Sequence, residues 1–248
     1  LKAQKAIAKM ATKYIWVGII LLLLFLTWYY RREINKKANN NYAMESVYND
    51  KSTVIGNINS ADIKYKVDAV KGTGHLRDYY IASSYNSCCA GDFQDGYVDL
   101  VPLREVIHQG ARVLDFALYQ VNGEPVVGAG PTDSDNIKGT YNSVPVGGAE
   151  GILSTINKYA FSLPTPNPTD PLFIHFRVKS KVNPRLFYKK LTNYVNQYCG
   201  SRLLDPSYGY EGRPGVNGGS KNMATEPIIN LRNKIIIICD QETNNFRG

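Results

Sequence analysis

The chain has 248 residues, and 29 Lys and Arg against 21 Asp and Glu give a formal charge of +8. Eight of those basic side chains (Lys2, Lys5, Lys9, Lys13, Arg31, Arg32, Lys36, Lys37) and one acid, Glu33, fall in residues 1–40, so the other 208 residues hold 21 basic and 20 acidic groups. A near-neutral body argues against a nucleic-acid partner, because counterion release needs basic groups gathered on one face. With 44% hydrophobic and 20% charged residues, disordered, collagen-like and disulfide-miniprotein classes are excluded, and one sizeable globular domain is expected after the basic end.

Residues 1–34 read as a basic segment and a single-pass membrane anchor spanning about 14–30. Those 17 residues carry no charge and, as a helix, measure roughly 26 Å at about 1.5 Å per residue, close to a bilayer's hydrocarbon core. Tyr14 and Trp16 mark one end; Trp28, Tyr29 and Tyr30 mark the other, followed by Arg31 and Arg32. Aromatic rings and cationic side chains both favour the headgroup level. Cleavage as a signal peptide is not expected, since Thr27-Trp28-Tyr29-Tyr30 lacks the small residues that cleavage requires. Four lysines precede the span and four Lys/Arg follow it, so the positive-inside rule leaves the orientation open.

Residues 35–72 are polar and read as a linker around Asn39-Asn40-Asn41, with 52–55 and 63–67 as candidate short strands. Residues 73–242 read as an α/β domain and 243–248 as a tail. The spacing predicts a strand at 79–82, then a helix at 100–109 with Pro102 in its first turn and Gly110 as its stop. The alternation at 111–119 predicts a strand with Val113, Asp115, Ala117 and Tyr119 on one face. Gly123-Glu124-Pro125 turns into the apolar pair Val126-Val127. A helix is expected at 151–161, a proline-rich loop at 163–170, and a strand at 172–178 with Phe173, His175 and Arg177 on one face. Asn183 is expected to cap a helix opened by Pro184, with Phe187, Leu191, Tyr194, Val195 and Tyr198 as its stripe and Gly200 as its end. Residues 205–220 read as a Gly-rich loop, and 235–238 as a strand buried on both faces. Cys88, Cys89, Cys199 and Cys239 fit no zinc spacing and read as unbridged thiols. Strands alternating with helices imply parallel βα units with the site at the strands' carboxyl ends.

Six segments in this order resemble the X region of the phosphatidylinositol-specific phospholipase C family. Ile81-Ala82-Ser83-Ser84-Tyr85-Asn86-Ser87 is similar to the family's I-A-S-S-H-N-T. Gly110-Ala111-Arg112-Val113-Leu114-Asp115-Phe116-Ala117 is similar to G-C-R-x-V-E-L-D. The turn from Gly123 through Pro131, the helix end Tyr159-Ala160-Phe161, the strand Pro171 through Val178 and the run Leu231 through Ile238 follow in register. The resemblance covers about 75–240 and implies a TIM-barrel-like phosphodiesterase domain, complete or partial. Few residues follow Ile238, so the barrel is expected to be incomplete, to borrow strands from 45–70 or a partner, or the sequence to be a piece of a longer chain.

The chemistry that the resemblance implies is disrupted. The family's phosphate-binding His falls on Tyr85 and its proton-transferring His on Ala129. A phenol holds its proton too tightly to act as a general base near neutral pH, and alanine has none to exchange. The calcium set of Asn, Glu, Asp and Glu falls on Asn86, Asp115, Ala117 and Arg177, leaving Asn86 and Asp115 as a remnant too small for a cation that takes six to eight oxygens. The family's inositol-phosphate lysine falls on Ile238. His108 reads as complementing its helix's carboxyl end, and His75 as a surface residue. His175 and Arg177 could hold an anion, or form an interior polar pair balancing Asp115.

The expected function is therefore a membrane-anchored, catalytically degenerate phospholipase-C-like domain that acts as a structural or binding module. Its expected partners are the lipid bilayer and other membrane or capsid-type proteins, with the internal membrane of a large DNA virus as a setting that the Asn- and Lys-rich composition suits. No cofactor is expected; Ca²⁺ belongs to the family, but its ligand set is incomplete here. Two alternatives stay open. One is an active phosphoric diester hydrolase using His175, Arg177 and Asp115; the other is an adaptor binding anionic lipid.

Overall fold

The computed structural model describes residues 2–48, 74–91, 97–130, 143–179, 184–208 and 221–240. It is a mixed α/β fold preceded by one long helix, α1 (Lys2–Tyr48). By length and composition α1 is apolar enough to cross a membrane, and its apolar window is not buried by the rest of the chain. Thr27 folds its hydroxyl back onto the carbonyl of Leu23 at 2.7 Å, which satisfies a polar group inside the apolar stretch.

The linker expected from 35 onward begins instead as helix. α1 runs unbroken through Asn39-Asn40-Asn41 to Tyr48, because contacts with the domain outweigh the weak helix propensity of asparagine. Half-buried positions 33, 36, 37, 40, 41, 44 and 48 recur at helical spacing and form one stripe. Met44 and Tyr48 pack against the domain core. The candidate strands at 52–55 and 63–67, the Asn183 cap, the 209–220 part of the Gly-rich loop and the 243–248 tail lie outside the described residues.

The domain opens with β1 (Ser83–Ser84), later than the expected 79–82. Ala82 contributes only its carbonyl, which accepts from the backbone N–H groups of Arg112 and Val113. A small hairpin of β2 (Cys89–Ala90) and β3 (Tyr97–Val98) follows. Asp99 then caps α2 (Leu100–His108) by accepting from the Leu100 N–H, and β4 (Val113–Val121) crosses the domain. Asn122 and Gly123 both take positive φ, +51° and +78°. That is the geometry of a tight Asn-Gly hairpin, so β5 (Glu124–Val127) turns back antiparallel to β4. The chain continues through β6 (Val144–Pro145), α3 (Ile152–Tyr159), β7 (Leu172–Val178), α4 (Pro184–Cys199) and β8 (Ile235–Cys239).

The sheet order is β6-β5-β4-β7-β8, with β1 beside the start of β4. β1, β4, β7 and β8 are mutually parallel, whereas β5 and β6 are antiparallel additions. Among the described residues the sheet is open, not a closed barrel. β8 is an edge strand: Ile235 and Ile236 are buried, but Ile238 is exposed. The expectation of burial on both faces therefore holds only for its first half, since no described strand covers the far side.

Alternation along the strands splits the core in two, as the pattern at 111–119 predicts. Leu114, Phe116, Leu118, Ile174 and Phe176 face α2, α3 and α4, where Leu103, Ile107, Ile152, Ile156, Phe187 and Leu191 complete the main cluster. Each such large side chain contributes about 1.5–3 kcal/mol on leaving water. On the opposite face, Phe173 and Ile236 meet Leu76, Ile228 and Leu231 at the amino end of the strands. Between helices and sheet, buried Arg112 pins the 163–170 loop: its guanidinium donates to the carbonyl of Ala160 at 2.8 Å and to Asn167 Oδ1 at 3.0 Å. Burial pushes this group down to about 10, with Asp170 opposing the shift.

Candidate functional site

The carboxyl half of the inner sheet face carries polar groups. Parallel pairing sets Asp115 of β4 beside His175 of β7, and Ala117 beside Arg177. Since side chains alternate, Asp115, His175 and Arg177 emerge on one side and converge. Arg177 grips the Asp115 carboxylate through Nε at 2.9 Å to Oδ2 and Nη2 at 2.7 Å to Oδ1. His175 Nδ1 lies 2.8 Å from the same Oδ2 and, against an ionised carboxylate, is the donor.

The loop after β1 closes over this pair. Asn86 has a positive φ of +47°, which turns its N–H onto Asp115 Oδ1 at 3.1 Å while its side-chain oxygen accepts from Arg177 Nη2 at 2.5 Å. Tyr85 lays its ring against the guanidinium, with Arg177 Cζ 4.6 Å from the centroid, a cation–π arrangement. Ser87, which no spacing marks as part of the site, locks the loop to the strand. Its hydroxyl accepts from the Asp115 N–H at 3.0 Å and donates to the Ser84 carbonyl at 3.0 Å. Its own N–H donates to the Asp115 carbonyl.

Burial works against ionising Asp115, yet the Arg177 hydrogen bonds, the Asn86 N–H and the Arg177 charge together hold its carboxyl below the usual range. Arg177 is shifted the opposite way: burial lowers it, but its bonds to Asp115 outweigh that and raise it. The two shifts describe one ion pair with its charge balanced internally. Cys89 sits near enough to feel both partners, but burial pushes its thiol up to about 11. It is protonated at neutral pH and poorly suited to nucleophilic work. None of the four cysteines forms a disulfide.

The structure thus brings together Tyr85, Asn86, Asp115, His175 and Arg177. Ala129 is buried just beyond β5, where Gly128 N–H donates to the Ala117 carbonyl, and offers only a methyl group. The other two histidines stand apart. His108 ends α2 and meets the Tyr159 ring edge-on at 5.8 Å. His75 is half-buried, not on the surface as expected, because it begins the short 3₁₀ turn Leu76–Asp78 and bridges to Pro227.

The calcium ion that the family resemblance implies does not fit these residues. The oxygens of Asn86 and Asp115 that would face it are already bound by the Arg177 guanidinium, and a second cation there would meet its charge. Among the described residues no group of three or more His, Cys, Asp or Glu is placed to hold a metal. A cavity of about 1020 Å³ along β8 and α4 is lined by none of the cluster.

No family model matches the sequence, and no curated protein matches it. The chain is similar in structure to two crystallised phospholipase C enzymes. One is PLC21 of L. pealei, at 22% identity and a TM-score of 0.46, covering 68% of this chain and 19% of that one. The other is PLC21 of S. officinalis, at 24% identity and a TM-score of 0.48, covering 70% of this chain and 20% of that one. The chain spans about a fifth of the length of those proteins.

Proposed function

We propose that this chain is a membrane-anchored, catalytically degenerate phospholipase-C-like domain that serves as a structural or binding module. One observation carries the reading: Arg177 joins Asp115 and Asn86 into a closed, charge-balanced cluster, with Ala129 at the position that resembles the proton-transferring histidine. A guanidinium whose Nε and Nη2 are already committed to a carboxylate and an amide oxygen, with a ring stacked on it, has few donors left for a phosphate in flight. Other membrane or capsid-type proteins are the partners this reading proposes. The test is release of water-soluble inositol phosphate from phosphatidylinositol vesicles, with and without Ca²⁺. No turnover is expected from the wild type, Arg177→Ala or His175→Ala; turnover that either substitution abolishes would overturn the reading.

The His175–Asp115 hydrogen bond favours a second reading. A carboxylate that orients an imidazole is the arrangement of a general base with its positioning partner, and His175 remains 31% exposed. On this reading the cluster is a rearranged phosphodiesterase site acting on a phosphatidylinositol-type lipid. The same assay separates the two, because only here does His175→Ala remove a measurable rate.

A further inference from the structure

We infer that α1 is a rigid strut that holds the carboxyl-end face of the parallel strands against the leaflet from which α1 emerges, so that this face contacts the phospholipid headgroups. The inference deepens the anchored-module reading and rests on α1 being inserted in a bilayer.

The direction of α1 is fixed at two points on α2. Lys37 Nζ pairs with Asp99 at 2.9 Å and Asn41 Nδ2 donates to the same carboxylate at 3.2 Å; Asp99 is the amino cap of α2. Eleven residues after Lys37, the carbonyl of Tyr48 accepts from the side chain of Gln109, which is the carboxyl cap of α2. The two helices therefore run side by side in the same direction.

α2 itself runs against the strands, since it ends at His108 just before β4 begins at Val113. Its amino end thus lies at the carboxyl ends of β1, β4, β7 and β8. The part of α1 before Lys37, including the apolar stretch to Tyr30, must extend beyond that same end. Lys37 is seven positions after Tyr30, about 10 Å of helix, and the helix is continuous between them. Arg32 lies over the Trp28 ring at 5.7 Å, which places a guanidinium at the headgroup end of the span.

The face so presented carries Tyr85, 66% exposed, over the Arg177–Asp115 pair, whereas Leu163, 85% exposed, lies in the loop that leads from α3 into the amino end of β7. An exposed aromatic ring at the rim suits the headgroup layer, where an amphipathic ring keeps its hydroxyl in water. A domain tethered by a flexible linker would show no such preference.

The experiment uses the full chain in phosphatidylcholine–phosphatidylserine vesicles, with Tyr85 or Leu163 replaced by the photocrosslinker benzoylphenylalanine. Flotation is measured first, and lipid adducts are then counted by mass spectrometry. Several-fold more lipid adduct at position 85 than at 163 is expected, and Gly-Gly-Ser inserted after Glu33 should abolish the difference while the chain still floats. Equal adducts, or more at 163, on a floating chain would overturn this inference alone. A difference that survives the insertion would overturn the strut. Failure to float would overturn the anchor itself and this inference with it.

Discussion

Arg177 and Asp115, 14% and 9% exposed, form a bidentate ion pair across two adjacent parallel strands. Each group is accommodated in the sheet interior only because the other is present. The consequence differs for single and double substitutions. Arg177→Ala leaves a buried carboxylate without its main partner and should destabilise the domain by about 3–5 kcal/mol. Adding Asp115→Asn to that variant should recover most of the loss, since no charge remains to be compensated. Both tryptophans lie in α1, so the measurement is pulse proteolysis in urea, which reads the domain and not the anchor.

Acid should weaken the same pair. The folded-state carboxyl of Asp115 lies below its ordinary value: burial raises it, but the Arg177 hydrogen bonds and charge and the Asn86 N–H outweigh that. Its contribution is therefore fully present above the unfolded value of about 3.9 and is lost as pH falls from there through the lower folded value. Asp99, held down in the same direction by Lys37 and neighbouring N–H groups against its desolvation, adds to this loss. Urea midpoints measured from neutrality down to pH 3 should fall below about pH 4, and more shallowly in Asp115→Asn than in the wild type.

Asp99 has two separable tasks. As the cap of α2 it is worth about 1 kcal/mol; as the acceptor for Lys37, whose side chain is partly exposed, it is worth less than about 1 kcal/mol. Asp99→Asn keeps the cap and loses the charge, whereas Asp99→Ala loses both. The expected order of stability is wild type, then Asp99→Asn close to Lys37→Ala, then Asp99→Ala, read from urea midpoints.

Much of this architecture is legible in the residues, and the exceptions have physical causes. The strand at 172–178 and the helix from Pro184 announce themselves through alternation, a helical apolar stripe and a helix-opening proline, and both stand where expected. The 35–48 helix is hidden because its contact stripe is made of Lys, Asn, Met and Tyr, so no hydrophobic period marks it. The antiparallel turn of β5 had a signal in Asn122-Gly123, which asks for two positive φ angles in succession. Asp115, His175 and Arg177 could be grouped from strand alternation, but the closing of Asn86 and Ser87 onto them depends on loop geometry that no spacing reveals.

Two glycines before α3 should respond differently to a methyl group. A Cβ on Gly147 would come within 2.4 Å of the Tyr194 ring, and one on Gly151 within 2.4 Å of the Gly147 carbonyl oxygen. Gly147→Ala should cost about 1–3 kcal/mol, relieved in part by Tyr194→Ala, which removes the ring together with its bond to Glu124. Gly151→Ala meets backbone, should cost more, and should gain nothing from Tyr194→Ala. Thermal midpoints of the three single variants and the two doubles check the pattern.

The grip on α2 also has a mechanical meaning. Asp99 ties its first turn, and Gln109 its last, to the same long helix α1, so a force along α1 enters α2 at both ends at once. Such a load shears α2 along its length instead of peeling it from one tip, and shearing requires both grips to fail together. Tension along α1 is therefore delivered through the strands that flank α2 in sequence, by β3 to the small β2–β3 hairpin and by β4 to the main sheet.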